Sequence, residues 1–340
     1  MDSLTQIVLG AACGEAVLGK KIGNKALLFG AIGGTIPDLD VFIGALLYNN
    51  EIDAMLFHRG FMHSILFSIL GAFLFGWISY KLYNTGKRVN TTAQTDWVKL
   101  FFWSLLTHPL LDCFTPYGTQ LFAPFSNYRV AFNNIAVADP LYTVPFLLSI
   151  IVLMFYNRKS NKRKFWLKLG FGISSLYMVL TIVNKIYVDS VFKSSLSKIN
   201  IDYIRFNSQP VILNNILWYG IAETKDNYHV GFYSLFDSSS HFSDWKKISK
   251  KRDLQKGDYK GFADLTWFSN GYYNVSKRDS LNFDYYDLRY PIISDSNTKT
   301  PIFSLKLFKD RERINMKAFE PNTGDFSKAL ALIWLRLKGK

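Results

Sequence analysis

His108 and Asp112 have the residue types and the spacing that metal binding requires. They lie four residues apart at the end of an apolar run that opens at Trp97. On a helix, residues i and i+4 share one face, so an imidazole and a carboxylate placed this way can hold one metal ion. A helix-end histidine paired with a nearby aspartate is the simpler interpretation, because such pairs are common. The spacing alone leaves both interpretations open.

Two earlier segments carry the same residue types. Pro37–Asp40 contains two carboxylates, and His58–His63 contains two imidazoles. Asp38 follows a proline and Asp40 lies two residues further on, and we expect only one of them, Asp38, to bind metal. His63 is expected to begin a helix and to be a ligand, together with the helical pair already described.

The remaining polar residues near these segments suit supporting or catalytic roles. His58 and Asp40 could each act as a general base or a second ligand, although a loop role for His58 is equally open. Arg59 could bind a phosphate or carboxylate group, or anchor the chain at a membrane interface. Asp139 precedes a proline and fits a helix N-cap as well as a ligand. Glu15 could line the site or pack against a neighbouring Ser or Thr.

The elements that must position these residues are apolar helices. The chain has 340 residues, of which 49% are hydrophobic and only 19% charged, and this balance fits a membrane-embedded half joined to a polar half. Ile65–Tyr83 and Phe165–Tyr187 reach the roughly 20 residues that a membrane span needs. Ala26–Ile36 and Val41–Tyr48 are shorter, which predicts broken or re-entrant helices around Pro37. Further apolar runs bring the prediction to about five or six membrane helices: 3–19, 97–114 and 141–156.

The pattern changes after residue 188. Short runs then alternate apolar and polar residues with aromatic and β-branched enrichment, which is typical of strands. The sequence therefore predicts an α-helical membrane bundle over residues 1–188 and a β-rich extramembrane domain over 189–340. The predicted strands fall within 199–235, 272–275, 281–290 and 302–308, and a terminal helix is predicted over 329–337.

Basic residues predict the topology. The net charge is +14, and the positive-inside rule places three basic segments in the cytoplasm: Lys20–Lys25, Lys81–Arg88 and Asn157–Lys164. The predicted site residues then all fall at the outer ends of the spans, as does the C-terminal domain. Three of the five histidines gather there with the aspartates, which favours one metal site over separate helix caps. Nitrogen and oxygen ligands of this kind suit a divalent metal, and we expect zinc.

The charge excess also bears on partners. In a membrane protein it first indicates contact with anionic lipid, so membrane lipid is the expected partner. No basic stripe interleaved with aromatic residues stands out, and no nucleic-acid binding is expected. Cys13 and Cys113 lie in apolar segments and give no disulfide framework. Nothing in the sequence points to a particular protein partner.

Four motifs together resemble the YdjM-like family of bacterial inner-membrane proteins, described as metal-dependent hydrolases. They are Met1–Gln6, Pro37–Asp40, His58–Ser64 and His108–Asp112, and the resemblance covers about residues 1–185. Two C-terminal runs, 217–222 and 230–236, are similar to the extension of one branch. More distantly, the order of the motifs is similar to the zinc-dependent phospholipase C and single-strand nuclease superfamily, whose all-helical enzymes hydrolyse phosphodiesters with a zinc cluster.

Two departures from these families limit the number of metals. Many YdjM-like members have Thr-His where this chain has Thr5-Gln6, and a second downstream His-x-x-x-Asp is absent from the sequence. The resemblance therefore implies one or two metal ions rather than three.

The sequence as a whole predicts a multi-pass protein of the bacterial cytoplasmic membrane that acts as a metal-dependent hydrolase. Asp38, His63, His108 and Asp112 would hold the metal, and His58, Asp40 and Arg59 would serve catalysis. The outer position of the site favours a lipid or another phosphoester as substrate. The alternative is a protein without catalysis, in which the same cluster moves a metal ion or a proton or braces the bundle.

Overall fold

The computed structural model describes residues 1–254, 259–295, 298–301, 304–317 and 323–339. The chain packs as two compact units, and each unit draws on separate stretches of sequence. The first comprises Met1–Ile43, Phe57–Val183 and Ile212–Asn214; the second comprises Gly44–Leu56, Asn184–Val211 and Asn215–Lys340. We predicted that the membrane-embedded part of the chain ends at residue 188. The two units are defined by packing and not by a membrane, so this limit stays a prediction.

The first part of the chain is helical. Its α-helices are α1 Ser3–Ile22, α2 Asn24–Thr35, α3 Asp40–Leu47, α4 Glu51–Phe57, α5 Ile65–Tyr83, α6 Gln94–Asp112, α7 Pro140–Met154 and α8 Asn161–Lys198. Short 3-10 helices lie at Ile36–Leu39, Phe61–His63 and Gly86–Arg88. The break between α2 and α3 falls at Pro37, as the sequence predicted.

Three segments of the described chain are long and apolar enough to cross a membrane. They are Asn24–Leu47, Ile65–Tyr83 and Asn161–Lys198, while Pro140–Met154 is apolar but shorter. Helix α8 has 38 residues and is about 57 Å long at 1.5 Å per residue, which exceeds the roughly 30 Å hydrocarbon core of a bilayer. Large apolar side chains lie exposed along α5 and α8, including Phe73, Leu74, Leu82, Leu176, Leu180 and Val183. The count of five or six membrane helices stays a prediction.

Helices α1 and α2 pack backbone against backbone. A Cβ atom added at Gly30 would overlap the Gly10 carbonyl oxygen, and one added at Gly14 would overlap the Ala26 carbonyl oxygen. Only glycine fits such a close approach. The contact fixes the C-terminal end of α2, and with it the Gly34 carbonyl, against the helices that carry the candidate ligands.

A buried ion pair joins the first helix to the last helix of the bundle. Arg163 Nε and Nη2 donate to the two Glu15 carboxylate oxygens at 2.7 and 2.6 Å. Arg163 Nη1 donates to Asn24 Oδ1 at 2.7 Å, and both charged side chains are almost fully buried. Glu15 therefore neither lines the candidate site nor packs against a Ser or Thr, the two interpretations that the sequence had left open.

The second unit contains two four-stranded antiparallel sheets and a two-stranded ribbon. One sheet has the order β1-β2-β3-β4, with β1 Arg205–Pro210, β2 Leu217–Glu223, β3 Asn227–Ser234 and β4 Ser243–Ser249. The other has the order β10-β9-β6-β5, with β5 Tyr273–Lys277, β6 Asn282–Asp287, β9 Ser304–Asp310 and β10 Arg313–Met316; the ribbon pairs β7 Ile292–Asp295 with β8 Thr298–Pro301. The prediction of a β-rich C-terminal region is confirmed.

The described residues of this unit also include α9 Phe262–Phe268 and α10 Thr323–Leu337, in addition to most of α4 and the end of α8. The predicted terminal helix over 329–337 is confirmed and begins earlier, and the strand predicted over 302–308 is described from Ser304 onward, its first two residues lying outside the described residues.

The last turns of α8 pack on the first sheet. Phe192 is fully buried with Trp218, and a Cβ atom at Gly220 would overlap the Phe192 ring. A separate apolar core of this unit contains Phe262 and Ile314, and it also includes Ile52 of α4. The sequence had not predicted any strand or helix of the β-rich domain in that part of the chain.

We predict that Arg163→Ala destabilises the bundle by about 3–5 kcal/mol, because it leaves the Glu15 charge buried without a partner. Thermal unfolding of the purified protein in detergent measures this loss as a lower midpoint. Lys164→Ala, which truncates the neighbouring exposed cation, should leave the midpoint unchanged. Equal midpoints for the two variants would contradict a stabilising role for the pair.

Candidate metal centre

The four predicted metal ligands come together in the structure. His63 Nε2 and His108 Nε2 lie 3.1 Å apart, and each lies 3.4 Å from Asp38 Oδ1. Each imidazole nitrogen is also 3.6 Å from Asp112 Oδ2. Both histidines and Asp112 are buried, while the Asp38 side chain is 22% exposed.

Five of the six separations among these four residues suit a shared metal ion. Ligands held at about 2.0–2.1 Å from one ion in tetrahedral geometry are about 3.3 Å from each other, and the five distances that involve an imidazole nitrogen run from 3.1 to 3.6 Å. Asp38, His63 and His108 lie close enough together to hold one ion, with Asp112 beside both imidazoles. Within the described part of the chain, Asp112 Oδ2 accepts no hydrogen bond, although the Arg59 Nε atom lies 3.3 Å from it, and a buried carboxylate oxygen without a hydrogen-bond donor attracts a cation. The donor set therefore fits one divalent metal ion.

The far side of each imidazole is already occupied. His108 Nδ1 lies 2.6 Å from the Gly34 carbonyl oxygen, so it carries the proton and donates, because a carbonyl only accepts. His63 Nδ1 lies 3.0 Å from Asp40 Oδ2. The two Nε2 atoms therefore point toward each other and toward the carboxylates of Asp38 and Asp112, and as neutral rings both histidines could offer these nitrogens to a metal ion. Such carbonyl and carboxylate partners are typical of metal-bound histidines.

Local structure explains why these side chains meet. Asp38 lies in a 3-10 helix directly after Pro37, and Asp40 begins α3. In this helical turn the two aspartates face different groups, since Asp38 Oδ1 lies near the imidazole Nε2 atoms and Asp40 Oδ2 lies near His63 Nδ1. His63 ends a second 3-10 helix, and Ser64 caps α5 by accepting from the Phe67 amide.

Gln6 supports the cluster and does not complete it. Its Nε2 donates to Asp112 Oδ1 at 2.9 Å and to the His108 carbonyl oxygen at 3.2 Å, and the side chain is buried. The Met1 amino group also contacts Asp112 Oδ1. One Asp112 oxygen is thus held by donors while the other faces the imidazoles. At position 6 the chain thus has an amide that orients the Asp112 carboxylate.

Asp40 and His58 form a pair beside the cluster. His58 Nδ1 lies 2.8 Å from Asp40 Oδ1, and the Arg59 amide donates to Asp40 Oδ2 at 3.0 Å. Asp40, His58 and His63 could also hold a cation. The 2.8 Å contact with His58 Nδ1 and the 3.0 Å contact with the Arg59 amide, however, are hydrogen bonds of Asp40. The His58 side chain is 24% exposed, so its Nε2 is free to exchange a proton at the open side of the site.

The pKa values of His58 and His63 are shifted in opposite directions by burial and by the nearby carboxylates. Burial lowers the pKa of His58 below its usual value, although Asp40 opposes this shift. Burial also disfavours a charged His63, but Asp38 and Asp40 outweigh it and hold the pKa of His63 above its usual value. His58 is therefore neutral near pH 7 and able to accept a proton, whereas the carboxylates around His63 attract positive charge.

The Arg59 side chain places a buried positive charge beside the Asp112 carboxylate. Its guanidinium is almost fully buried, lies 3.3 Å from Asp112 Oδ2 and donates to Thr115 Oγ1 at 2.9 Å. The backbone has φ of +62°, a conformation that costs a non-glycine residue about 1–2 kcal/mol. The guanidinium groups of Arg59 and Arg129 both stack on the Tyr117 ring, with their central carbon atoms 4.7 and 4.8 Å from the ring centre.

Asp139 lies outside the cluster, whereas Arg129, which the sequence did not single out, contacts His58 beside it. Asp139 is the N-cap of α7 and accepts from the Leu141 amide at 3.0 Å and from Tyr177 at 2.9 Å, so it is not part of the cluster. Arg129 donates to the His58 carbonyl oxygen at 3.0 Å. No sequence signal marked Arg129 or Tyr117, because both lie in an irregular loop far along the chain from His58.

Comparison with known proteins gives two matches. The family model described as YdjM inner membrane protein matches residues 1–188. The uncharacterized protein YfhP of Bacillus subtilis (strain 168) is 32% identical over 162 residues, which cover 45% of this chain and 46% of that protein; the chain thus spans about half the length of this relative. No solved structure matches significantly. The more distant likeness to the phospholipase C and nuclease superfamily stays a prediction.

We predict that His108→Ala and Asp112→Ala each abolish metal retention, because each removes one corner of the ligand set. Metal analysis of the purified protein by mass spectrometry gives the stoichiometry. His241→Ala, which removes an exposed histidine of the second unit, is the matched control. Unchanged metal content in the first two variants would rule this site out.

Asp40→Asn should weaken metal binding about 10–100-fold without abolishing it, since a partner of a ligating histidine typically contributes this much. Competition with a chromogenic chelator measures the affinity. Asp139→Asn changes another buried aspartate that caps a helix, and it should leave the affinity unaltered. A complete loss of metal in Asp40→Asn would instead make Asp40 a direct ligand.

Proposed function

The chain belongs to the YdjM inner membrane protein family, and we propose that it is a membrane-bound, metal-dependent hydrolase of a phosphoester or lipid-type substrate. The observation that carries this proposal is the cluster of two imidazole Nε2 atoms and two carboxylate oxygens, in which each nitrogen lies 3.1–3.6 Å from the other three atoms. A divalent ion, which we propose to be zinc, supplies Lewis-acid polarisation and an acidified water when bound. A metal site of this composition beside a neutral histidine suits hydrolysis.

The charges at the site support this role. Asp38 and Asp112 together offer two negative charges, which balance a divalent ion, and the two histidines bind as neutral groups. Asp38 is the partly exposed ligand, so the cluster opens toward its side. Arg59 compensates the remaining carboxylate charge and would stabilise an anionic group of the substrate next to the cluster.

His58 is the residue that we assign to proton transfer. Its Nδ1 is held by Asp40 at 2.8 Å, which fixes the ring and leaves Nε2 to take a proton from the attacking water or to return one to the leaving group. Asp40 then has two tasks, because it orients His58 and also faces His63 Nδ1. Asp40 thus acts through both histidines and not as a base itself.

We place the site at the outer face of the cytoplasmic membrane, with the C-terminal domain on the same side. The positive-inside rule supports this topology, because the basic segments all lie at the opposite ends of the apolar helices. A substrate reached from that side within a membrane protein is a lipid or a lipid-linked phosphoester. Transport is less well supported, since the buried Glu15–Arg163 pair is saturated by mutual hydrogen bonds and offers no exchangeable site along a pathway.

We predict that His58→Ala lowers kcat about 10²–10⁴-fold, the usual contribution of a general acid or base, while metal content stays unchanged. The assay measures phosphate or headgroup release from bis(p-nitrophenyl) phosphate and from a bacterial lipid extract. A chelator should abolish the activity and added zinc should restore it. His108→Ala is the metal-free control.

Two results would contradict the proposal. Equal turnover by the wild type and His108→Ala would show that any hydrolysis comes from a contaminant. A metal-loaded protein that hydrolyses none of these substrates would favour the non-catalytic alternative.

A further inference from the structure

One stretch of the second unit begins and ends next to site residues. Gly44–Leu56 packs with the second unit, whereas the residues before it to Ile43 and after it from Phe57 pack with the first. The chain therefore leaves the site shortly after Asp40 and returns at His58. We call Gly44–Leu56 the anchor segment.

The anchor segment contributes to the core of the second unit. Ile52 is fully buried, and it belongs to one apolar cluster with Leu254, Phe262, Tyr285 and Ile314. Met55 and Leu56 pack partly buried against the same cluster. An isoleucine with no exposed surface in a core of strand residues is a structural component of that core and not a surface contact.

Polar contacts fix the anchor segment to strand β10. Asn50 Nδ2 donates to the Ile314 carbonyl oxygen at 3.1 Å, and Asn315 Oδ1 accepts from the Glu51 amide at 3.0 Å. Arg313 Nη2 donates to both Asp53 carboxylate oxygens at 2.8 and 2.6 Å. The segment is thus held by backbone, side-chain and charged contacts at successive positions, which fixes its register on the strand.

The end of the anchor segment is covalently close to His58. A single residue, Phe57, separates Leu56 from His58, and successive Cα atoms are about 3.8 Å apart. The following turn is irregular, with Arg59 in the left-handed region. A displacement of the segment end therefore reaches the His58 ring, and the Asp40 and Arg129 hydrogen bonds must oppose it.

We propose that the second unit positions His58 through the anchor segment, with Ile52 and Asp53 as positioning residues. The C-terminal unit is then a working part of the hydrolase and not an appended module. The proposal rests on the proposed function for the role of His58 in hydrolysis. The position of the His58 ring can be measured without any turnover.

The test uses the purified full chain in detergent and labels histidines with diethyl pyrocarbonate, read by peptide mass spectrometry. The variants are Ile52→Ala, Asp53→Arg, Arg313→Asp and the double exchange of the last two. Leu46→Ala is the matched control, because Leu46 lies in the same segment but is 87% exposed. Exposed His241 serves as the internal reference for the labelling rate.

We expect the three single variants to raise the His58 labelling rate severalfold, while Leu46→Ala does not. The double exchange restores the ion pair in reverse and should return the rate toward the wild-type value. Metal content should stay unchanged throughout, and kcat should follow His58 labelling. A failure of the hydrolysis assay would leave the labelling result intact, so the two proposals fail separately.

One outcome would overturn the inference. Hydrogen exchange can show whether the second unit has loosened in a variant. If β10 exchanges faster in Asp53→Arg or Ile52→Ala while His58 labels at the wild-type rate, the anchor segment does not position His58.

Discussion

Two imidazole nitrogens facing each other at 3.1 Å are the constraint on which the site depends. On the far side of the rings, His108 Nδ1 donates to the Gly34 carbonyl oxygen and His63 Nδ1 lies 3.0 Å from Asp40. Inside a protein the effective dielectric constant is low, so two imidazoles beside two carboxylates favour positive charge, either a proton on His63 or a bound cation. The other residues of the cluster hold these two rings in place or balance the charge around them.

The supports come from distant parts of the chain. The glycine contact between α1 and α2 sets the position of the Gly34 carbonyl, which in turn fixes the His108 ring. Gln6 of α1 holds one oxygen of Asp112 and leaves the other toward the imidazoles. A single pair of closely packed helices therefore orients two ligands that both belong to α6. The glycines are as necessary to the site as the ligands, although they contact no metal.

That these four candidate residues come together was predictable from sequence because the signals for them are local. His108 and Asp112 share a helical face by spacing alone, and basic residues at one end of the apolar runs predicted that the other polar residues gather at the opposite end. Asp112 lies near His63 as well as His108, which is more than a capped helix end requires, and metal binding stays a prediction. The β-rich region was likewise visible from its alternation.

What could not be predicted involves long-range pairing. Arg163 lies 148 residues from Glu15, and Arg313 lies 260 residues from Asp53. No periodicity links such positions, and each pair is chosen by the packing of whole helices or sheets. Ile52 illustrates the same limit, since it lies in the sequence between two motifs of the site and yet is fully buried in a core of the second unit. Composition describes how apolar a segment is but not which apolar surface it meets.

The Glu15–Arg163 pair has a consequence for biosynthesis. The first helix carries a carboxylate whose partner is the arginine near the start of α8. At 5–20 residues per second, translation delivers that partner roughly 7–30 s later. Until then the Glu15 carboxylate is without its counter-charge. The ion pair that joins α1 to α8 therefore forms only after α8 has been made, so we expect the helical part of the chain to reach its final packing late in synthesis.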